Sequence, residues 1–459
     1  MNKIILVALF VVLGLAGQQV YGQQTICGNE ILQEAINNDP YLKAKQDDFF
    51  KNYAEENKQM SRDRAAAQAK GTAEYPKVLI PVVFHIVLNP TQLASIGGEA
   101  GVIERINSQL ATINEDFSAT NADLVNVPQP FKSLIGKANI SFGLAKRDVN
   151  GKAKLGIVYV NKPASFNGYE GQDLSVKRTQ MGGSSPWDYT KYLNIWITNI
   201  TGASGNGQVL GYGYNANYAQ NVVGDPATAG IVLHYLALGR RTGIGQTFYS
   251  PQTEKGRTLT HELGHYFNIW HIWGKSASST STSCADDDDI DDTPLQAAAN
   301  TTCPFPTGVV KPNCSQQPHV GGEMYMNFMD YSSDVCTDMF TIGQVDRMRA
   351  EINGVLNSIT KNPELAFWPA DVSAVEYNNR VEVSPNPNNG KFNIHLFEKY
   401  DELKSITVVN TMGQLVKTVN VTDQEEINYN IDISTLPTGI YIAQLHFDQG
   451  IISRKIVLQ

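Results

Sequence analysis

The stretch that decides the fold reads His261-Glu262-Leu263-Gly264-His265-Tyr266-Phe267-Asn268-Ile269-Trp270-His271. On a helix, His261 and His265 are four residues apart and lie on one face, so their ring nitrogens can converge on one ion. Three neutral His ligands leave the fourth zinc position open, as in catalytic zinc sites. The spacing therefore predicts one catalytic zinc ion bound by His261, His265 and His271.

Glu262 follows the first histidine and is turned away from the ligand row. There it can hold a zinc-bound water and accept its proton as general base. For His271 to reach the metal, the helix must end after Phe267 and the chain must turn back through a left-handed residue. That residue is Asn268, and Asn adopts this region more readily than most non-glycine residues. Histidines in register by accident, or a Glu ligand on a later helix, are the alternatives, and His271 argues against both.

A second motif, Asn327-Phe328-Met329-Asp330-Tyr331, follows downstream. Taken alone, Met329 would be a core residue that fills a gap. After a zinc motif it is predicted to be the Met-turn that lies under the metal in metzincins. Tyr331 would then place a phenol near the metal, where it could bind zinc or donate a hydrogen bond to the oxyanion of the intermediate.

Four more segments carry a family resemblance: Gly256-Arg257-Thr258-Leu259-Thr260, Tyr192-Leu193-Asn194-Ile195-Trp196, Asp292-Thr293-Pro294 and the run from Asn327 to Cys336. With the zinc motif, they make residues 76 to 360 resemble a pappalysin-type (M43-like) metzincin of the bacterial cytophagalysin branch. Together these features predict a secreted zinc endopeptidase that hydrolyses peptide bonds through a Glu-activated water and is made as a latent precursor. The alternative is a catalytically silent, surface-displayed binding or adhesion protein, against which the intact Glu262 and Tyr331 argue.

The apolar pattern between these motifs predicts an α+β fold. Residues 78–88 form a continuous apolar strand in which His85 is expected to be a core residue. Apolar residues three or four apart predict a helix over residues 103–117, and further helices begin near Thr258 and Thr341. Shorter strands are predicted at residues 140–142, 156–160 and 193–199. With the resemblance, this pattern predicts a catalytic domain at 76–366, with a twisted mixed sheet, two long helices and a loop-rich lower subdomain.

The N-terminal residues have the pattern of a secretory signal peptide over 1–22, with an apolar run too short to cross a membrane. Residues 23–75 are polar and predicted to be a detachable pro-segment, a disordered spacer being the alternative. We therefore expect export through the periplasm to the medium or cell surface, with no transmembrane segment. The net charge of −9 and the lack of a basic patch argue against nucleic acid as a partner.

The pattern changes again after a linker at 367–380. Residues 381–459 show short alternating strands and turns, which predict a small all-β sandwich domain. Its opening around Pro385-Asn386-Pro387 and its Leu436-Pro437-Thr438-Gly439-Ile440-Tyr441 segment resemble the C-terminal sorting domain of type IX secretion substrates. The type IX machinery is thus an expected partner. Without the resemblance, a carbohydrate-binding or adhesive domain would be the interpretation.

Four of the five cysteines lie between the zinc helix and the last helix, where export makes disulfides available. A zinc knuckle is disfavoured because no two are close, and four cysteines allow three pairings. The resemblance favours Cys284–Cys314 and Cys303–Cys336. The fifth, Cys27, is predicted to bind the open zinc position in the latent precursor, because a thiolate is a strong zinc ligand. An intermolecular disulfide or an inert buried thiol are its alternatives.

The acidic run at 286–292 offers hard oxygen ligands that suit calcium. A solvated acidic loop is the alternative, and the resemblance favours calcium because pappalysin-like enzymes bind it in this region. The candidate ligands of this structural ion are Asp287, Asp288, Asp289, Asp292 and Thr293. In the substrate pocket, Asp334 could favour a basic side chain, whereas Val335 would make the floor apolar. The protein or peptide substrate itself cannot be read from the sequence.

Overall fold

The computed structural model describes residues 25–49, 75–171, 173–201, 208–275, 278–301, 321–367, 381–396, 403–410, 414–421, 427–447 and 450–459, together with 51, 59, 62, 303 and 314. The predicted signal peptide, much of the second half of the pro-segment and nearly all of the linker lie outside these residues. The predicted domain boundaries therefore stay predictions. Within the described ranges, no helix is both long and apolar enough to cross a membrane.

A seven-stranded sheet forms the centre of the larger domain. Its strands are β1 Thr25–Cys27, β2 Val78–Leu88, β3 Ile140–Leu144, β4 Ile157–Asn161, β6 Leu193–Thr198, β8 Gln208–Tyr214 and β9 Gly230–His234; β5 Tyr169–Glu170 and β7 Ile200–Thr201 pair separately. Six of the seven strands run in the order β1-β8-β9-β6-β2-β3, and β4 also pairs with β2. The pairing is antiparallel between β8 and β9 and parallel at every other contact in this sheet.

Strand β2 is the core of this sheet. It is buried at every position after Val78, as expected for a strand covered on both faces. Its N-terminal half pairs with β3 and its C-terminal half with β4, while β6 lies on the other side. His85 is a core residue, as predicted: its ring stacks on Trp196 and its nitrogens lie 2.7 Å from Ser184 Oγ and 3.0 Å from Asn194 Oδ1.

The helices are numbered α1 Asn29–Asn37, α2 Pro90–Ser95, α3 Gly98–Phe117, α4 Arg257–Tyr266 and α5 Ile342–Asn353. Helix α3 buries Ile106, Leu110, Ile113 and Phe117, the residues whose spacing predicted it. Helix α4, which carries His261 and His265, lies against α3 and β8. Helix α5 begins with a capping box between Thr341 and Gln344.

Where the structure describes it, the segment between α4 and α5 has few regular elements, and two disulfides hold it. They join Cys284 to Cys314 and Cys303 to Cys336, with Cα atoms 5.8 and 5.9 Å apart, which is ordinary disulfide geometry. The pairing implied by the resemblance is therefore confirmed. The mixed sheet, the helices and this loop-rich segment confirm the predicted α+β fold.

The C-terminal domain contains two antiparallel sheets, as the alternating sequence predicted. Side chains alternate between buried and more exposed along β11, and residues of both sheets, such as Ile394 and Leu445, share one core. One sheet contains β10 Val381–Ser384, β11 Lys391–Leu396 and β14 Asn428–Asp432. The other contains β12 Leu403–Asn410, β13 Leu415–Asn420, β15 Gly439–Phe447 and β16 Gly450–Leu458.

Candidate active site

The end of α4 brings three histidines together. Helix α4 ends at Tyr266 with Phe267 as its C-cap, and Asn268 has a φ of 63°, the left-handed turn expected from the sequence. The chain then folds back, with the Ile269 amide donating to the Gly264 carbonyl at 2.9 Å. As a result, His271 Nε2 lies 3.3 Å from His261 Nε2 and 3.1 Å from His265 Nε2.

The second ring nitrogen of two of these histidines is held by a backbone carbonyl. His261 Nδ1 lies 2.7 Å from the Phe328 oxygen, and His265 Nδ1 lies 2.8 Å from the Ile269 oxygen. Burial lowers the pKa of His261 to about 4. Burial, together with the neighbouring histidines, also lowers the pKa values of His265 and His271 well below their usual range. A neutral ring whose Nδ1–H donates to a carbonyl presents the Nε2 lone pair, as metal-binding histidines do.

These donors fit zinc. Cys27 Sγ and one nitrogen of each histidine all lie within 4.8 Å of one another. Among the residues that the structure describes, this is the only group of three or more His, Cys, Asp or Glu side chains close enough to hold a metal. Three neutral nitrogens with a sulfur beside them are ligands that zinc accepts.

Glu262 lies between the histidines and strand β8. Its side chain is buried, and burial raises its pKa to about 8. Gly211 of β8 makes the room, because a Cβ there would lie 2.8 Å from Glu262 Oε1. Cys27 Sγ donates to Glu262 Oε2 at 3.5 Å. The carboxylate therefore lies next to the candidate metal-binding group, at the strand that borders it.

Met329 lies beneath the histidine helix, where the sequence predicted a Met-turn. The turn is closed by the Met329 amide, which donates to Asn327 Oδ1 at 2.9 Å, and by the Asp330 amide, which donates to the Asn327 carbonyl at 3.0 Å. A Cβ on Gly264 would overlap the Met329 sulfur. Gly264 thus lets the sulfur approach the helix, a requirement that the sequence analysis did not anticipate.

The Tyr331 phenol also lies next to the three histidines. Its oxygen lies 3.3 Å from His271 Nε2 and accepts a hydrogen bond from the Cys27 amide at 3.0 Å. The ring packs against Trp273, with centroids 4.7 Å apart. Burial raises the pKa of Tyr331 well above its usual value, so the phenol keeps its proton.

The predicted pro-segment covers the β8 edge beside these residues. Strand β1 pairs with β8 in parallel, and the Gly28 amide donates to the Gly211 carbonyl at 2.7 Å. The Asn29 side chain then both donates to and accepts from the Gly213 backbone, at 3.0 and 3.3 Å. A Cβ on Gly28 would lie 3.0 Å from Tyr212 Cβ, so glycine allows this close approach.

Cys27 and Glu30 bring the predicted pro-segment next to Glu262 and Tyr331. Burial and the charge of Glu262 raise the pKa of the Cys27 thiol, an effect that a bound cation would oppose. Glu30 accepts a hydrogen bond from Ser279 Oγ at 3.1 Å, and burial raises its pKa while a hydrogen bond with Tyr331 lowers it. Asn29 and Glu30 were missed from the sequence, in which only their position next to Cys27 could have pointed to them.

The acidic loop is tied to α5. Asp288 is buried, and its Oδ1 accepts hydrogen bonds from the Ile290 amide and from Thr293 Oγ1. Asp292 Oδ2 accepts the Gly343 amide at 2.8 Å, and Asp289 pairs with Lys275. Among the described residues, these carboxylates and Asp287 do not come together as a metal-ligand group. Calcium binding therefore stays a prediction.

Asp334 and Val335, the predicted pocket residues, lie near the start of α4. Asp334 Oδ2 accepts the amides of Lys255 and Arg257 at 2.9 and 3.2 Å, and its own carbonyl accepts Arg257 Nη1. These bonds give Asp334 a role in fixing the start of the helix. Val335 is 40% exposed. A role for either residue in the substrate pocket stays a prediction.

Comparison with known proteins adds to this geometry. A family model described as pregnancy-associated plasma protein-A, peptidase M43, matches residues 178–353. A model described as a secretion system C-terminal sorting domain matches residues 382–459. Extracellular metalloproteases of Neurospora crassa and Colletotrichum graminicola are 28% and 27% identical, over 64% and 66% of this chain and 82% and 86% of theirs.

Solved structures of mirolysin from Tannerella forsythia are also similar. Mature mirolysin in complex with a cleaved peptide is 36% identical with a TM-score of 0.55, over 64% of this chain and 100% of that one. A promirolysin mutant is 34% identical with a TM-score of 0.60, over 74% and 99% of the two chains. These matches confirm the metzincin fold, and they show that the chain belongs to the M43 (pappalysin) family of metallopeptidases, with a secretion-system sorting domain over its C-terminal residues.

Proposed function

We propose that this metallopeptidase is a secreted zinc endopeptidase in which His261, His265 and His271 bind the metal and Glu262 is the general base. The observation that carries the proposal is the convergence of three neutral Nε2 atoms beside a buried carboxylate. Relatives described as extracellular metalloproteases support secretion, as does the match to a sorting domain. The type IX machinery is the partner that this sorting domain implies.

The reaction can be derived from the side chains around the three histidines. When bound, zinc would polarise the scissile carbonyl as a Lewis acid and lower the pKa of a water. Glu262 would accept the proton of that water and pass it to the leaving amine. A nearby positive charge would bring its raised pKa back down, so that it starts as a carboxylate. The Tyr331 phenol would donate a hydrogen bond to the oxyanion.

Strand β8 would bind the substrate backbone. In the described chain its outer edge is covered by β1, Gly28 and Asn29. Once this segment leaves, β8 would offer free backbone donors and acceptors to an extended peptide. Mirolysin in complex with a cleaved peptide supports a peptide substrate for this chain as well.

The catalytic assignment is tested by two substitutions. We expect Glu262→Ala to abolish cleavage of casein while zinc stays near one per chain, because the base is lost and the ligands remain. His271→Ala should lose both zinc and activity. Metal analysis and a protease assay with a chelator control measure both effects. Turnover by the Glu262→Ala variant would refute the mechanism, and a wild-type chain without activity would favour the silent binding protein.

We also propose that Cys27 keeps the precursor latent as a zinc ligand. Its sulfur lies with the three histidines and next to Glu262, where it would exclude the catalytic water. We expect Cys27→Ala to make the precursor active, or self-processing, much sooner than the parent at equal concentration. Gel analysis of processing with time measures this. A Cys27→Ala precursor that stays intact as long as the parent would show that the pro-segment inhibits by other contacts.

A further inference from the structure

A buried carboxylate on α5 connects the turn after the histidine helix with the end of strand β8. Glu351 is 1% exposed. Its Oε1 accepts a hydrogen bond from Asn268 Nδ2 and its Oε2 one from Asn215 Nδ2, both at 3.1 Å. One carboxylate thus binds two buried amides that come from separate loops.

The first of these amides belongs to the turn that sets the histidine geometry. The Asn268 backbone amide donates to the His265 carbonyl at 2.9 Å. The carbonyl of the next residue, Ile269, lies 2.8 Å from His265 Nδ1, and the chain then leads to His271. A shift of Asn268 would therefore move both the partner that orients His265 and the segment that carries His271.

The second amide belongs to Asn215, at the end of strand β8, the strand that lies against Glu262. Asn215 directly follows β8, and its Oδ1 accepts the Tyr218 amide at 2.9 Å, which fixes the direction in which the chain leaves the strand. The same strand carries Gly211, which lies against Glu262. Glu351 therefore connects the turn at Asn268 with the end of strand β8.

The buried charge of Glu351 has a counter-charge on its own helix. Arg347 lies one turn earlier on α5 and donates to the carbonyls of Asp288 and Asp289, at 2.7 and 2.6 Å. Burial lowers the pKa of Arg347, and the charges of Asp288, Asp289 and Glu351 oppose that lowering. A buried carboxylate with such a counter-charge and two amide donors is compensated.

We propose that Glu351 is a positioning residue for the metal centre, acting through Asn268 on the ligand turn and through Asn215 on the end of β8. The inference rests on the zinc site of the proposed function. Glycine at 268 would accept the positive φ but has no side chain to reach Glu351. The Asn268 side chain adds a hydrogen bond to Glu351 that the turn itself does not require.

The test uses the full chain with Glu262→Ala, which prevents self-cleavage. Asn268→Gly and Glu351→Gln are compared in this background with Asp346→Asn, a matched control on α5. Asp346 is also buried and accepts the Tyr75 hydroxyl at 2.8 Å. The readouts are the rate of zinc loss to a chelator and the absorption spectrum of the cobalt-substituted protein.

We expect Asn268→Gly and Glu351→Gln to lose zinc about tenfold or more faster and to shift the cobalt bands, because outer-shell changes commonly cost about 10- to 100-fold in metal affinity. Asp346→Asn should match the parent in both readouts, whatever its melting temperature. Parent-like zinc loss and spectra in both test variants would overturn the inference. A parent that binds no zinc would overturn the proposed function as well, so the two failures are distinguishable.

Discussion

The Tyr331 phenol oxygen lies 3.3 Å from His271 Nε2, one of the three converging ring nitrogens. Its oxygen accepts a hydrogen bond from the Cys27 amide at 3.0 Å, so the predicted pro-segment occupies the group that would serve the oxyanion. In the proposed function, the same side chain would exchange this partner for the oxyanion during catalysis.

We expect Tyr331→Phe to lower kcat of the processed enzyme about 10- to 1000-fold with a modest change in KM, because one oxyanion donor is typically worth a few kcal/mol in the transition state. Steady-state kinetics on a fluorogenic peptide measure this. Tyr159→Phe is the control, since the buried Tyr159 hydroxyl has no hydrogen-bond partner among the described residues. A parent kcat in Tyr331→Phe would make the phenol purely structural.

At this scale, the sequence predicts the residues that share one short segment. His261, Glu262, His265 and His271 lie within eleven residues, so helix geometry and the turn at Asn268 bring them together. Gly211 and Glu351 come from other elements and have no local pattern, because their roles depend on how β8 and α5 pack against α4. Such residues are found only once the fold is known.

At the scale of elements, β2 and α3 are predictable because burial on both faces or on one face leaves a periodic apolar pattern. Strand β8 was not predicted: its residues Gly211 and Gly213 weaken the strand pattern, and they are glycines because Glu262 and Ile231 lie against them. Strand β1 has three residues and depends entirely on its pairing with β8. Neither strand therefore has an apolar pattern long or regular enough to be predicted from the sequence.

The acidic loop is an element whose stability we expect to depend on calcium. Asp288 Oδ2 is buried without a hydrogen-bond partner in the described chain, and an oxygen of this kind suits a hard cation. Calcium at about a hundred times its Kd would stabilise the folded state by about 2.7 kcal/mol and raise the melting temperature. Melting curves from micromolar to millimolar calcium measure this, with magnesium as control. Unchanged curves would return residues 286–292 to a plain acidic loop.

On the scale of the whole molecule, the candidate active site and the sorting domain are built on separate hydrophobic cores. The larger core joins β2, α3, α4 and the Met-turn, and a second core lies wholly within residues 381–458. The candidate metal ligands come from α4, from the turn after it and from the N-terminal segment, none of which belongs to the second core. Loss of the second core should therefore leave the catalytic geometry intact.

We therefore expect a chain without residues 380–459 to keep its peptidase activity after processing but to fail to reach the medium in a host with type IX secretion. The reason is that no described residue of the sorting domain belongs to the histidine cluster, yet this domain is the part that the export machinery would bind. Immunoblots of cells and medium measure export, and casein cleavage by the purified truncated chain measures activity. The full chain carrying Glu262→Ala is the control, because it should be exported although it is inactive. Truncated protein in the medium at the parent level would instead favour an adhesive role for this domain.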